Sequence, residues 1–214
     1  MKMKTCLLSI LFFMAFLVSG FAQTFTLKGG LNLSSRLVHY KGKSENEGLK
    51  LNPGFHVGGT LDFPVRERIS VETGLLLSMK GYKYSGGVAT GIESKVDLLF
   101  LHVPVNGRIS FNLGGVGMYG TFGPYFGYGL VGQNKYTNLN GNSSTEKSKI
   151  VWGDKGEMRR FDAGFGVGVG ILVNSMTFGI NYDLGLLNQV PIDDDLKVKN
   201  SVLGVSVGYR FAKK

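Results

Sequence analysis

Hydrophobic and polar positions alternate along most of this chain. Phe25, Leu27, Gly29, Leu31 and Leu33 interleave with Thr26, Lys28, Gly30 and Asn32. The same period of two runs through Phe55–Phe63, Ile69–Met79, Leu99–Val105, Phe122–Leu130, Phe161–Val173, Met176–Leu184 and Leu203–Phe211. A period of two is that of a strand with two different faces. It predicts eight strands, over 24–35, 53–64, 67–82, 95–110, 118–134, 159–173, 176–187 and 199–211. Several exceed the roughly five or six residues usual in soluble sheets and suit a tilted membrane strand of about 9–11.

The predicted connections alternate in length. Those at Val65-Arg66, Asn112 to Gly117 and Asn174-Ser175 are short. Those at 36–52, 83–94, 135–158 and 188–198 are longer and polar, and 135–158 reads as solvated throughout. Transmembrane barrels have this asymmetry, with short periplasmic turns and long external loops. An even strand number puts both termini on the periplasmic side.

A soluble eight-stranded barrel also alternates, but with its apolar face inward. Here residue size decides. The apolar face carries Phe, Leu, Ile, Val and Tyr; the other carries Gly, Ser, Thr, Asn and a few charges. An eight-stranded lumen is only wide enough for side chains. Small and polar residues fit inside it, and bulky apolar ones suit lipid. The expected fold is therefore all-β: an eight-stranded antiparallel up-and-down transmembrane β-barrel. Tyr40, Tyr82, Tyr84, Tyr136, Trp152 and Tyr182 would form an external aromatic girdle, and Phe63, Phe111, Tyr119, Tyr209 and Phe211 a periplasmic one.

Composition adds a compartment. Lys2 and Lys4 precede an apolar run from Cys6 to Val18, and Gly20-Phe21-Ala22 supplies small residues at a cleavage site. This predicts a signal peptide over 1–22, cut between Ala22 and Gln23, with the barrel domain over 23–214. Cys6 is the one cysteine and leaves with the leader, so disulfide and thiol chemistry are not expected. Cleavage lowers the basic count from 24 to 22, against 15 acidic residues. For an exported chain that excess favours anionic lipid headgroups or polysaccharide over nucleic acid. Glycine at 33 residues argues against helices.

The segments KGGLNLSS (28–35), ETGLLLSMKGYKY (72–84), LFLHVPVNGRIS (99–110), FGPYFGYGLVG (122–132), RRFDAGFGVGVGI (159–171), FGINYDLGLLN (178–188) and VSVGYRF (205–211) together resemble the PorT-like outer membrane β-barrel family of Bacteroidetes. The resemblance implies the barrel architecture and an outer-membrane location. Some relatives are linked to protein secretion and gliding machinery, and most have no assigned activity. The family's fourth strand usually reads Tyr-Leu-Glu-Ile-Pro; here it reads Phe100-Leu101-His102-Val103-Pro104, with His102 in the acidic position.

Three features invite chemical readings. Gly127-Tyr128-Gly129-Leu130-Val131-Gly132 spells a dinucleotide loop, but that motif must enter a helix, and QNKYTNLNGNSS follows. Its glycines read better as small residues on a lumen wall. His39, His56 and His102 with Ser70, Ser78 and Glu72 could suggest a lipid-modifying enzyme. His56 and His102 fall on the lumen face, away from lipid, and His39 falls in a loop. Asp193-Asp194-Asp195 reads as a solvated loop, with weak calcium ligation as the alternative. The expectation is no catalytic set, no metal and no cofactor.

The polar face predicts instead a lumen network. Lys28, Asp62, Glu72 and Arg210 fall in its periplasmic half, and His56, Lys80, His102, Arg160 and Asp162 lie higher. Charges there are tolerable only when paired and hydrogen-bonded. The expected role is a membrane-embedded scaffold or binding platform with external loops, without catalysis. The alternatives are a narrow pore or secretion component, and a lipid-modifying enzyme. Expected partners are outer-membrane lipid and lipopolysaccharide, with periplasmic or membrane proteins, around a monomeric barrel.

Overall fold

The computed structural model describes residues 24–44, 48–85, 92–138, 144–153, 158–190 and 195–211. The leader, its cleavage pair Ala22 and Gln23, and Asp193-Asp194 lie outside them. Eight long strands form the barrel: β1 (Thr24–Tyr40), β4 (Asn52–Arg66), β5 (Ile69–Ser85), β6 (Ile92–Leu113), β7 (Val116–Asn138), β9 (Phe161–Val173), β10 (Met176–Gly185) and β11 (Leu196–Phe211). Three short strands, β2 (Lys43–Ser44), β3 (Leu49–Lys50) and β8 (Ser144–Lys149), lie at the long-loop end. Each long strand pairs antiparallel with the next. The ring closes where β1 meets β11, from Phe25↔Phe211 to Tyr40↔Leu196. Closure removes the sheet edges that lipid could not satisfy.

Three tight turns mark the end that also holds the first and last strand residues. A register shift near Val65 carries β4 to Arg66, so the first turn is Glu67-Arg68 rather than Val65-Arg66. The second tightens to Gly114-Gly115, both at positive φ (58° and 90°), the geometry a two-residue hairpin needs. The third is Asn174-Ser175, with Asn174 left-handed at φ 54°.

The alternation resolves into an apolar outer wall and a polar interior. Leu31, Phe122 and Val169 are 62–70% exposed. On the opposite faces of the same strands Asn32, Tyr125 and Asp162 are buried. Large apolar residues outward and buried polar residues inward is the arrangement of a barrel solvated by lipid.

The glycine file Gly164-Gly166-Gly168-Gly170 lines this interior for a steric reason. A Cβ at each would meet, in order, the Leu184 carbonyl and Tyr125 ring, the Asp183 carboxylate, the Thr121 hydroxyl and the Tyr119 ring. The missing side chains make room for larger neighbours.

The structure corrects three expectations at the long-loop end. Strand β7 continues to Asn138, past residue 134, because residues 135–138 pair with Ile92–Lys95 of β6 and with β8, and Leu130 and Val131 both face outward at a bulge within it. The bulge resets the period, and Gly132 and Asn134 return inside. The segment 135–158 is not solvated throughout: it forms β8 against β7 and then turns Ile150 and Met158 into the barrel mouth. Trp152 and Tyr82 pack on that interior cluster rather than joining a girdle.

Candidate functional site

The lumen is filled in four levels, counted from the turn end. At the lowest, Asp62 and Glu72 are directly opposed on β4 and β5. Two adjacent carboxylates repel unless a cation lies between them. Arg108 of β6 supplies it, with Nη1 3.3 Å from Asp62 Oδ2 and 3.1 Å from Glu72 Oε2. Its guanidinium lies 3.8 Å over the Tyr119 ring, which turns into the lumen beside Gly170 rather than joining the periplasmic girdle. Lys28 Nζ adds a contact of 3.5 Å to Glu72 Oε1. Asn106 Nδ2 donates to the same oxygen at 3.4 Å. Arg210, expected in this group, is half-buried and makes none of these ion pairs; Arg108 takes its place.

The second level is held mainly by hydrogen bonds of neutral side chains, with Asp183 as its one carboxylate contact. Asn32 Nδ2 donates to Ser78 Oγ at 3.0 Å and to the Phe55 and Met79 carbonyls. Its Oδ1 lies 2.8 Å from His56 Nδ1, which must therefore be the donor. His56 and Ser78 are cross-strand neighbours, yet each is engaged by Asn32. His102 stacks on Tyr125 with ring centroids 4.8 Å apart, and its Nε2 is 3.7 Å from Asp183 Oδ2. A cavity of about 70 Å³ lies between these groups, bordered by Lys28, His56, Glu72, His102 and Asp183. Such a space has room for several waters.

The third level is centred on Asp162. Its Oδ2 accepts from Lys80 Nζ at 3.1 Å, Asn200 Nδ2 at 3.0 Å and Tyr125 Oη at 3.3 Å. Its Oδ1 accepts from Gln189 Nε2 at 3.2 Å. The Lys80 ammonium also lies 4.4 Å from the Tyr125 ring centroid and 5.3 Å from that of Phe100. Both ions are removed from solvent, which is tolerable only with this degree of hydrogen bonding.

An apolar plug forms the fourth level. Val96, Leu98, Phe100, Ile150 and Met158 are buried together, with Tyr82 and Trp152 against them. Trp152 meets Phe100 edge-on at 5.9 Å. Arg36 stacks 4.0 Å over Tyr82, and its Nη2 donates to Met158 Sδ at 3.2 Å. Arg160 precedes β9 and stands apart from the lumen ion pairs. Its Nη1 donates to the Gly129 carbonyl at 3.0 Å, and its guanidinium lies 5.6 Å from the Trp152 ring.

The apparent dinucleotide loop belongs to these upper levels. A Cβ at Gly127 would press on Asp162 and Phe100, one at Gly129 on Trp152, and one at Gly132 on Ile150. Its spacing is that of a strand wall accommodating the hub and plug, with a bulge between the second and third glycines.

Among the described residues no three His, Cys, Asp or Glu side chains come together as a metal site.

Residues 21–190 match the family model described as outer membrane protein beta-barrel domain. The chain belongs to that family. The barrel is thus an outer-membrane protein, and its exposed apolar wall is the lipid-facing surface. None of the curated proteins matches it. Among solved structures it is similar to Ail, the attachment invasion locus protein of Yersinia pestis, at 17% identity and TM-score 0.43, covering 88% of this chain and 99% of that one. It is also similar to OprG of Pseudomonas aeruginosa (14%, TM-score 0.43, covering 90% and 97%). A third is Neisserial surface protein A (12%, TM-score 0.45, covering 87% and 97%).

The sequence analysis did not single out Arg108, Asn32, Tyr125, Asp183, Gln189 or Asn200 as lumen groups. Arg108 carried a usable signal: it continues the inward file His102, Pro104, Asn106. Gln189 carried none, because it enters the lumen from beyond the end of β10.

Proposed function

We propose that this barrel is a closed, membrane-embedded scaffold that presents its long-loop end as a binding platform, without catalysis. The observation that supports it is the stacking of charged, mainly neutral, charged and apolar levels across one narrow lumen. The Lys80–Asp162 level and the apolar plug are closed to solvent above the one small cavity, which leaves the protein's exchange with its surroundings to its wall and its external end. We read the termini and tight turns as periplasmic, following the usual length asymmetry of such barrels. Within its family we read it as PorT-like, with outer-membrane lipid, lipopolysaccharide and membrane or periplasmic proteins as partners.

Swelling of protein-loaded liposomes in small sugars and amino acids tests the closed barrel. The proposal expects swelling no faster than empty liposomes; solute-dependent swelling would favour the pore or secretion-component reading. Incubation with lipopolysaccharide followed by mass analysis of lipid A tests the enzyme alternative, and a changed lipid A mass would replace the scaffold reading.

A further inference from the structure

We infer that the outer wall carries a built site for the phosphate groups of the outer leaflet's phosphorylated glycolipid. It is a single cross-strand row of lysines. Lys50 of β3 lies opposite Lys83 of β5, Lys83 opposite Lys95 of β6, Lys95 opposite Lys135 of β7, and Lys135 opposite Lys147 of β8. Directly opposed residues share a face, and at a strand spacing of about 4.8 Å the row spans roughly 19 Å. Adjacent inward positions confirm which face: Val96 and Leu98, flanking Lys95's strand neighbours, are buried in the plug.

Like charges directly opposite one another destabilise a sheet. Two carboxylates stand beside the row on this face: Asp97, at 3.0 Å from Lys95 and 3.7 Å from Lys135, and Glu93, which borders the same surface concavity. Five ammonium groups against two carboxylates leave an excess of three positive charges. Lys95 and Lys135 are about a third exposed, and Lys50 and Lys147 more so, so the remaining charge faces outward. A surface concavity of about 270 Å³ lies over Lys50, Lys83, Lys95 and Lys135, with Thr137, Thr145 and the single carboxylate Glu93 also in its lining. Ammonium and hydroxyl donors around one concavity fit phosphate oxygens.

Height identifies the source of the phosphate. Toward the membrane the next row on this face is Gly81, Asp97, Gln133 and Lys149, and the one after it is Met79, Leu99 and Val131. Two rows are four residues, about 13 Å along a strand and roughly 10 Å vertically at a membrane-barrel tilt. The headgroup layer beyond the hydrocarbon is roughly 5–8 Å thick, and a lysine stem reaches several ångströms down toward it. The ammonium groups therefore meet lipid phosphates before the loops meet bulk solvent. At the closing seam the spacing recurs: Lys199 stands four residues from the exposed Leu203 on the same face of β11.

The inference rests on the reading of the long-loop end as external. Its test uses the full protein in bilayer nanodiscs of zwitterionic lipid, with added bis-phosphorylated lipid A, dephosphorylated lipid A of the same acylation, or phosphatidylglycerol. The readout is the thermal unfolding midpoint from heat-modifiable gel migration. Bis-phosphorylated lipid A should raise the midpoint by several degrees more than either other lipid, and K83Q/K95Q/K135Q should abolish that excess. In zwitterionic lipid alone the same variant should unfold at or above the parent midpoint, because it relieves the repulsion; this also shows that it folds. Equal shifts from all lipids, equal shifts from lipid A and phosphatidylglycerol, or an undiminished excess in the triple variant would overturn the inference. Liposome swelling is independent of these lysines, so loss of the closed-barrel reading would register there.

Discussion

Lys80 Nζ and Asp162 Oδ2 lie 3.1 Å apart, from strands on different sides of the barrel, with both side chains closed to solvent. The ion pair crosses the lumen, so it joins β5 to β9 without a backbone hydrogen bond between them. Removing one partner from a buried pair costs about 3–5 kcal/mol, since the other is left charged and unpaired. Lys80→Met should therefore lower the folded barrel's stability by that order in urea titration. K80M/D162L should recover much of the loss, and a double variant no better than the single one would contradict the pairing.

Arg108 makes a comparable claim at the turn end. Arg108→Gln leaves Asp62 and Glu72 opposed with Lys28 as the remaining close cation. The expected loss is about 2–4 kcal/mol, partly restored in R108Q/E72Q. Arg210→Gln should cost distinctly less, because Arg210 forms none of these pairs; equal losses at 108 and 210 would reverse the assignment. Urea midpoints of the variants, measured in one lipid, decide it.

Glycines divide by what faces them. A Cβ at Gly123 would collide with the Val105 carbonyl, whereas one at Gly107 meets only the Phe122 carbonyl at 3.6 Å. Gly123→Ala should destabilise by about 1–3 kcal/mol or slow barrel formation, and Gly107→Ala should be near neutral. Refolding into vesicles, followed by gel migration, separates them.

The plug and the ion pair act in series. I150A/W152A should cost about 3–6 kcal/mol through lost packing at the mouth. It should leave the lumen closed to solutes, since the Lys80–Asp162 level lies beneath. Liposome swelling in this variant should match the parent; fast swelling would place the barrier in the plug alone.

The faces of this barrel were legible in the sequence, and the contacts across its lumen were not. Alternation along Phe161–Val173 separates outward Val167 and Val169 from inward Asp162 and Gly164 without knowledge of a neighbour. Whether Asp162 meets Lys80 or Arg160 depends on register between strands 82 positions apart, which no local pattern carries. The bulge at Leu130-Val131 illustrates the limit. Two consecutive apolar residues break the alternation there, and the bulge that returns Gly132 and Asn134 to the interior beneath Ile150 is set by pairing with β6. Ile150, Trp152 and Met158 were hidden for a different reason. They are isolated apolar residues in a polar stretch, with no period to mark them, and only the fold-back of β8 brings them together.

Single-channel recording in planar bilayers addresses the closed lumen most directly. Parent protein, shown to be inserted by its heat-modifiable migration, should give no steps above the bare-bilayer baseline. K80S/D162S combined with I150A/W152A should open discrete steps, since it empties both upper levels. Regular conductance steps in the parent protein, unchanged when those side chains are removed, would contradict the account.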